Sequence, residues 1–512
     1  MGLRIEGKIA RVNGKELRYA EFAERYLTKN QPVVLTGLME GWRACEDWVT
    51  DDGRPNLGFL SAHFGVSKVT VADCSRREFT DQKRTEMSVS EFMDYWEMFS
   101  AGSCHSKNTN LNEDSQPLLY LKDWHFVKEH PAYVAYETPS FFRDDWLNIY
   151  LDSYNMHQGS KMQRDQNEIN CSDYRFVYMG PKGTWTPLHA DVFRSYSWSA
   201  NVCGKKHWYL LPPFQSRLLF DRNQRNTVYN IFDEVCENQF PGFPQTVWWE
   251  CVQEKGDIIF VPSGWFHQVH NLEDTISINH NWFNGHNLDF VWNLLLSDYC
   301  EAKNYIEDIR DICDDFEWLC QRNLAANTGM NFYDFFIFIV RWTVASSVLL
   351  RQLKREESSL FSSLTKVVQH LVSNLIAVYN VAKGMESVEA FTEDNLPRYS
   401  GEDWSLLCDV DRTLGEDEFQ EFARAIMESN GLNDELKEQD LELNSESFLS
   451  DGYFSACFSP SVLQKLDPLC SSRVSLCSPG DLLRLIEHFF LGPDGVCSGL
   501  DLSLFPDIPF KS

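Results

Sequence analysis

Basic residues are in short supply in this 512-residue chain: 46 Lys and Arg stand against 75 Asp and Glu, a formal net charge of −29. A surface that acidic repels phosphate backbones and anionic headgroups, which argues against direct nucleic-acid or membrane-surface binding. Paired cysteines are lacking too. The 15 Cys fall singly, with no C-x-x-C pair and no Cys/His zinc spacing, so they read as reduced thiols rather than a disulfide framework. The first twenty residues hold no apolar core of the length a secretory signal needs, and Gly7 stands where a myristoylation signal wants Ser or Thr. Without a secretory signal the sequon Asn170-Cys171-Ser172 carries no weight. The expected compartment is cytosol or nucleus. No internal repeat is found.

Apolar residues are plentiful at 43%, and aromatics reach 14% with 16 Trp and 36 Phe, enough for a large core. The length predicts two to four compact units, at about 100–200 residues each. Residues 17–49 read as an entry module, with LRYAEFAERYL at helical spacing and QPVVLTG (31–37) as a strand. Another strand is expected over 66–75, and Ser88-x-x-Glu91 is a capping box opening a helix to Phe99. The runs 101–117 and 155–172 read as polar loops. Phe332 to Leu350 is 19 residues long and mostly apolar, but contains Asp334 and Arg341. Central charges are costly in lipid, so the expectation is a buried helix. Residues 401–447 hold 15 acids and three bases and read as a solvated, partly disordered acidic region. Within it, Asp409 to Gln420 fails as a calcium loop, because Gly415 falls at position 7 rather than 6 and position 12 is Gln. DLLRLIEHFF (481–490) predicts a final helix.

From Asp173 to Phe283 the pattern changes to short β-rich runs separated by Gly and Pro: YRFVYMG, YSWSANVCG, HWYLLPP, DIIFVPSG and TISINHNW. Such spacing predicts a sandwich or jelly-roll barrel rather than βαβ units, interrupted by an insertion over 214–247. Two stretches of this region carry the chemistry. In TWTPLHADVF, His189 and Asp191 are i and i+2, so a regular strand would point both to one face. In FVPSGWFHQVHNL, His267 follows a tight turn. Two histidines and one carboxylate from two strands form the facial triad that holds non-haem Fe(II) and leaves positions open for a co-substrate and O₂. Lys206 follows as an ammonium able to bind a distal carboxylate, with Lys205 as its rival, since neighbours on a strand point opposite ways. Thr186, three residues before His189, offers a hydroxyl. In TISINHNW, alternation predicts a polar face of Thr275, Ser277, Asn279 and Asn281 opposite an apolar one. His207, His270, His280 and His286 read as bystanders.

These motifs, in this order, resemble the Jumonji C-terminal (JmjC) family of Fe(II)- and 2-oxoglutarate-dependent oxygenases. The resemblance implies an α+β fold around a double-stranded β-helix (cupin or jelly-roll) core, with N-terminal α/β elements and a C-terminal helical region. It implies His189, Asp191 and His267 as metal ligands. Lys206, in Gly204-Lys205-Lys206-His207-Trp208, becomes the co-substrate lysine, joined by Thr186, by Tyr120 in QPLLYLKDW, and by Asn281. Ser199 departs from the family, where several members have Asn. The runs YLKDWH, DYRFVY, HADVFRSYSWSANVCGKK and VPSGWFHQVHNLEDTISINHNW are similar to a branch that hydroxylates a lysine of the eukaryotic translation termination (release) factor in the cytoplasm. The likeness spans roughly residues 18–345, with nothing added by 350–512.

The expected division is residues 1–138 as supporting α/β elements, 139–295 as the catalytic domain, 296–395 as a helical region and 396–512 as an acidic extension. A homodimer through the C-terminal helices is a further expectation. The rival readings are a histone N-methyl-lysine demethylase, for which zinc fingers and basic chromatin-binding runs are missing, and an inactive cupin-fold scaffold, which the intact triad opposes.

Overall fold

A computed structural model describes residues 3–103, 117–154, 173–355, 365–392, 395, 409–429 and 476–491. The loops expected over 101–117 and 155–172, and most of the acidic region 401–447, lie outside the described residues. The chain divides into two compact units: residues 1–142 with 173–282, and residues 143–172 with 283–512. This differs from the four consecutive segments expected. The reason is strand pairing, which ties the N-terminal elements into the same sheets as the barrel.

The first unit holds fourteen strands among its described residues: β1 (Ile5–Lys8), β2 (Ala10–Asn13), β3 (Val33–Thr36), β4 (Lys68–Glu78), β5 (Asp81–Ser88), β6 (Leu119–Trp124), β7 (Arg175–Gly180), β8 (Trp185–His189), β9 (Tyr196–Cys203), β10 (Lys206–Leu211), β11 (Trp248–Gln253), β12 (Ile258–Val261), β13 (Phe266–Asn271) and β14 (Thr275–Trp282). They form a five-stranded sheet in the order β1-β11-β10-β13-β8 and a nine-stranded sheet in the order β2-β3-β12-β9-β14-β7-β6-β4-β5. Antiparallel pairing dominates, as expected of a jelly roll. The reversal between β9 and β10 falls on glycine. Gly204 has φ +75°, and a Cβ there would meet the Asp274 carbonyl oxygen at 2.1 Å.

Alternation along β14 decides which face is which. Ile276, Ile278 and Trp282 join Trp198, Ala200, Phe260, Phe22 and Phe142 in the main core. The opposite face carries Ser277, Asn279 and Asn281, paired across the ladder with Asn201, Ser199 and Ser197 on β9. One side of the nine-stranded sheet is therefore packed and the other is polar.

The capping box forms as expected. The Ser88 backbone N–H donates to the Glu91 carboxylate at 2.7 Å, the Glu91 N–H donates to Ser88 Oγ at 3.2 Å, and the helix Val89–Ser103 follows. The insertion after β10 is built of short 3₁₀ turns, and its Leu219, Val228 and Ile231 pack with Leu188, Leu211 and Phe266.

The second unit is helical among its described residues, with helices at Trp146–Ser153, Leu288–Tyr305, Phe316–Thr328, Phe332–Arg355, Thr365–Met385, Asp417–Ser429 and Pro479–Leu491. Its Phe332–Arg351 stretch has the length and hydropathy to cross a membrane, yet is 94% buried. The charge that argued against lipid is accommodated inside: Arg341 donates to the Tyr150 hydroxyl at 2.6 Å and stacks 3.8 Å from the Tyr154 ring centroid.

Candidate metal centre

β8 and β13 are antiparallel neighbours, and their register sets His189 directly opposite His267. The two ring centroids are 4.3 Å apart. Asp191 joins them, so that one ligand atom from each of the three residues lies within 4.8 Å of the others. The convergence does not come from two residues of one regular strand. β8 ends at His189, and Asp191 opens a 3₁₀ turn, Val192–Arg194, in which Phe193 has φ +54°. Ser197 Oγ, on the next strand, donates to Asp191 Oδ2 at 2.7 Å and fixes the carboxylate.

Both imidazoles are held in one tautomer. His189 Nδ1 lies 2.8 Å from the Pro187 carbonyl, and His267 Nδ1 lies 3.1 Å from the Trp265 carbonyl. A carbonyl only accepts, so each Nδ1 carries a proton and Nε2 is the ring atom left to face a metal. Burial, and then the neighbouring His267, hold the His189 imidazole well below its ordinary pKa, which keeps it neutral. Two imidazole Nε2 atoms and one carboxylate on one side are the donor set of a non-haem Fe(II) site.

Lys206 enters from β10. Its side chain is 2% exposed; Nζ donates to Ser277 Oγ at 2.8 Å and to the Tyr120 hydroxyl at 3.3 Å. The rival Lys205 faces outward, 3.2 Å from Glu254. Burial first, and then the charge of Lys122, push the Lys206 amine down to about 7. Ser199 Oγ, directly across from Asn279 on the polar face, is buried with no hydrogen-bond partner among the described residues. A buried ammonium held only by hydroxyls beside an unpaired hydroxyl suits an anionic, oxygen-rich ligand such as 2-oxoglutarate.

The other expected residues divide. Asn281 is buried beside Asp191's support: it pairs with Ser197, and its Nδ2 donates to Ser195 Oγ at 3.2 Å. Thr186 lies on β8 opposite Val269, and its hydroxyl bonds neither Lys206 nor Tyr120. His270 stacks on Trp185, His207 pairs with Glu250, and His280 lies in the core against Trp198 and the Tyr136 hydroxyl. Ser277 lies on the polar face expected to line the site and accepts from Lys206, whereas Lys122 was not singled out. Period-two spacing from Tyr120 is the signal that finds Lys122.

The protonation of Lys206 has a measurable consequence. A carboxylate bound to the ammonium favours its charged form, so binding raises a pKa that starts at about 7. Co-substrate affinity is therefore expected to be level below pH 7 and to fall as pH rises above it, with binding at pH 8 taking up a proton. Calorimetry in two buffers of different ionisation enthalpy measures that proton; a value of zero at pH 8 contradicts the argument.

A family model described as a cupin-like domain matches residues 19–287. The arginine-specific demethylase JMJ20 of Arabidopsis thaliana is 52% identical over 488 residues, covering 95% of this chain and 98% of its own. Two proteins named 2-oxoglutarate and iron-dependent oxygenase JMJD4, from Danio rerio and Homo sapiens, are 42% and 37% identical over 64% and 67% of this chain, and 72% and 77% of their own. The likeness to the Arabidopsis protein extends into the C-terminal region, beyond the residues 18–345 that the motifs marked.

Proposed function

The chain belongs to the cupin-like JmjC family of iron- and 2-oxoglutarate-dependent oxygenases, and from that premise we propose that it hydroxylates a lysine side-chain carbon of the eukaryotic translation termination (release) factor, in the cytoplasm. The observation that carries the oxygenase half is the convergence of His189, Asp191 and His267 beside the buried Lys206. The substrate half is supported by the likeness of the runs around Tyr120, His189 and His267 to the lysyl-hydroxylase branch.

When bound, iron would activate O₂, with 2-oxoglutarate giving the two electrons needed, so that one oxygen atom is placed on a substrate C–H carbon. The protein's own residues bind, orient and shield. His189, Asp191 and His267 hold the metal from one side and leave its other positions open. Lys206, with the Tyr120 hydroxyl beside it, holds the distal carboxylate of the co-substrate; Thr186 and Asn281 complete the proposed contacts, and the Ser199 hydroxyl is available to it. Burial of Lys206 and His267 keeps water away from both ends of the bound co-substrate.

One observation favours a second reading. The relative at 52% identity is named for arginine demethylation. Removing a methyl group from methylarginine uses the same site, with oxidation at an N-methyl carbon and loss of that carbon as formaldehyde. Peptide mass separates the two. With Fe(II), 2-oxoglutarate and O₂, release factor is expected to gain one oxygen on a lysine peptide, absent with Asp191→Ala protein. An unmodified release factor together with a methylarginine peptide that loses a methylene overturns the first reading in favour of the second.

A further inference from the structure

A second lysine is buried beside the Tyr120 ring that Lys206 approaches. Lys122 lies on β6 two residues beyond Tyr120, so both side chains leave the same face of the strand. It is 2% exposed, and its Nζ sits 5.5 Å from the centroid of the Tyr120 ring, which Lys206 approaches at 6.0 Å. Its hydrogen bond goes to a neutral group, Gln82 Oε1, at 2.8 Å. Gln82 in turn donates Nε2 to the Trp185 carbonyl on β8, the strand that ends at His189. Neither Lys122 nor Lys206 forms an ion pair with a described carboxylate.

The ladders fix the depth of each group. Along β13, Asn271 lies opposite Lys206, while His267 lies opposite His189 at the other end. Along β14, Thr275 pairs with Gly180 at the deep end, and Asn281 pairs with Ser197, the partner of Asp191, at the metal end. β6 joins through β7, with Leu121 opposite Met179 and Trp124 opposite Val177. Its chain therefore runs from Tyr120 at the level of Lys206 toward the metal triad, and Lys122 lies one step closer to the metal than Tyr120. In keeping with that place, the Lys122 charge reaches both Lys206 and His189.

Burial outweighs Asp81 and Asp123, which favour the Lys122 charge, and Lys206 has only hydroxyls around it, so two buried lysines beside one tyrosine ring suit an anion lying between them. 2-Oxoglutarate has two carboxylates. We propose that Lys122 is a second carboxylate-binding residue of this site, holding the metal-side carboxylate of 2-oxoglutarate while Lys206 holds the distal one. The assignment rests on the oxygenase reading. The competing role is a purely structural one, in which Lys122 braces Gln82 and the β4–β5 hairpin.

The test uses the full chain loaded with Mn(II), which binds co-substrate without turnover. Affinities for 2-oxoglutarate and for 2-oxobutyrate, which lacks the distal carboxylate, are measured by calorimetry, and melting temperature is measured without either acid. Lys122→Met is expected to weaken both acids by about tenfold to a hundredfold, the worth of a charge-assisted hydrogen bond, with no drop in melting temperature. Lys206→Met is expected to weaken 2-oxoglutarate alone. Lys122→Gln keeps a polar partner for Gln82 and loses the charge, so it too is expected to weaken both acids; the bracing role predicts wild-type affinity. Wild-type affinity in Lys122→Gln, or weakening of 2-oxoglutarate alone in Lys122→Met, overturns the assignment. A wild-type protein that takes Mn(II) but neither acid overturns the co-substrate reading itself, a result distinct from failure at Lys122.

Discussion

Asp191→Ala protein is expected to fold as wild type, to lose Fe(II) binding and to have no turnover. Asp191 is the one charged ligand of the three, and it stands at the start of a turn rather than inside a sheet. Its removal deletes the negative charge that a divalent ion needs and leaves two neutral imidazoles. The fold has little stake in the residue. Asp191 is half-buried, and its side-chain hydrogen bond is the one it accepts from Ser197. Loss of a ligand should exceed the effect of losing its support, so Ser197→Ala provides the scale: about 10- to 100-fold weaker metal binding, with activity restored by excess iron. Metal titration and a thermal melt on the same samples give both quantities. Iron-free Asp191→Ala protein with full activity would remove the triad from the mechanism altogether.

Much of this site is legible in the residues because metal chemistry is demanding about identity. Two histidines and an aspartate in short β-rich runs are seldom brought together except to hold a metal, and Lys206 differs from Lys205 only in the direction a strand imposes. The polar alternation of β14 is equally readable, and its apolar counterpart enters the main core as expected. Geometry that depends on turns is less readable. Nothing in TWTPLHADVF announces that the strand stops at His189 and that Asp191 reaches the metal from a turn with Phe193 at φ +54°. β1, β2, β5 and β11 escape for another reason. β1, β2 and β5 are exposed along much of their length, so periodicity is weak, and β1 and β11 pair across a long sequence separation: Trp248 on β11 lies beside Ile5 on β1. That non-local pairing is also why a division into consecutive segments misplaces the N-terminal elements. Lys122 sits in plain view in YLKDWH, but only its neighbours across the ladders make it a site residue.

The largest loss of stability is expected from Trp198→Ala, on the strand that also carries Ser197 and Ser199. Trp198 is fully buried between Phe260 on β12 and His280 on β14. Its ring stacks on Phe142 at 5.5 Å and 14°, lies 4.1 Å from His280, and has Trp42 and Tyr136 at 6.4 and 6.1 Å. Truncation leaves an aromatic-sized cavity in a wall of rings that cannot collapse together, a cost of about 3–5 kcal/mol. It also uncovers His280, which burial keeps well below its ordinary pKa; the wild type therefore loses stability as pH falls through the ordinary imidazole range, and the mutant is expected to lose less over that range. Trp198→Phe retains a ring and should lose less. The two histidine ligands, however, belong to β8 and β13 of the other sheet, and Asp191 takes its bond from Ser197, whose side chain leaves β9 on the face opposite Trp198. Mn(II) affinity of folded Trp198→Ala should therefore stay within about tenfold of wild type, as expected for a site whose ligands keep their own hydrogen bonds. Urea unfolding and metal titration then give opposite results for the two variants: stability without metal for Asp191→Ala, metal without stability for Trp198→Ala. A large loss of metal affinity in folded Trp198→Ala would mean that the packed face of β9, through Ser197, holds Asp191 in place.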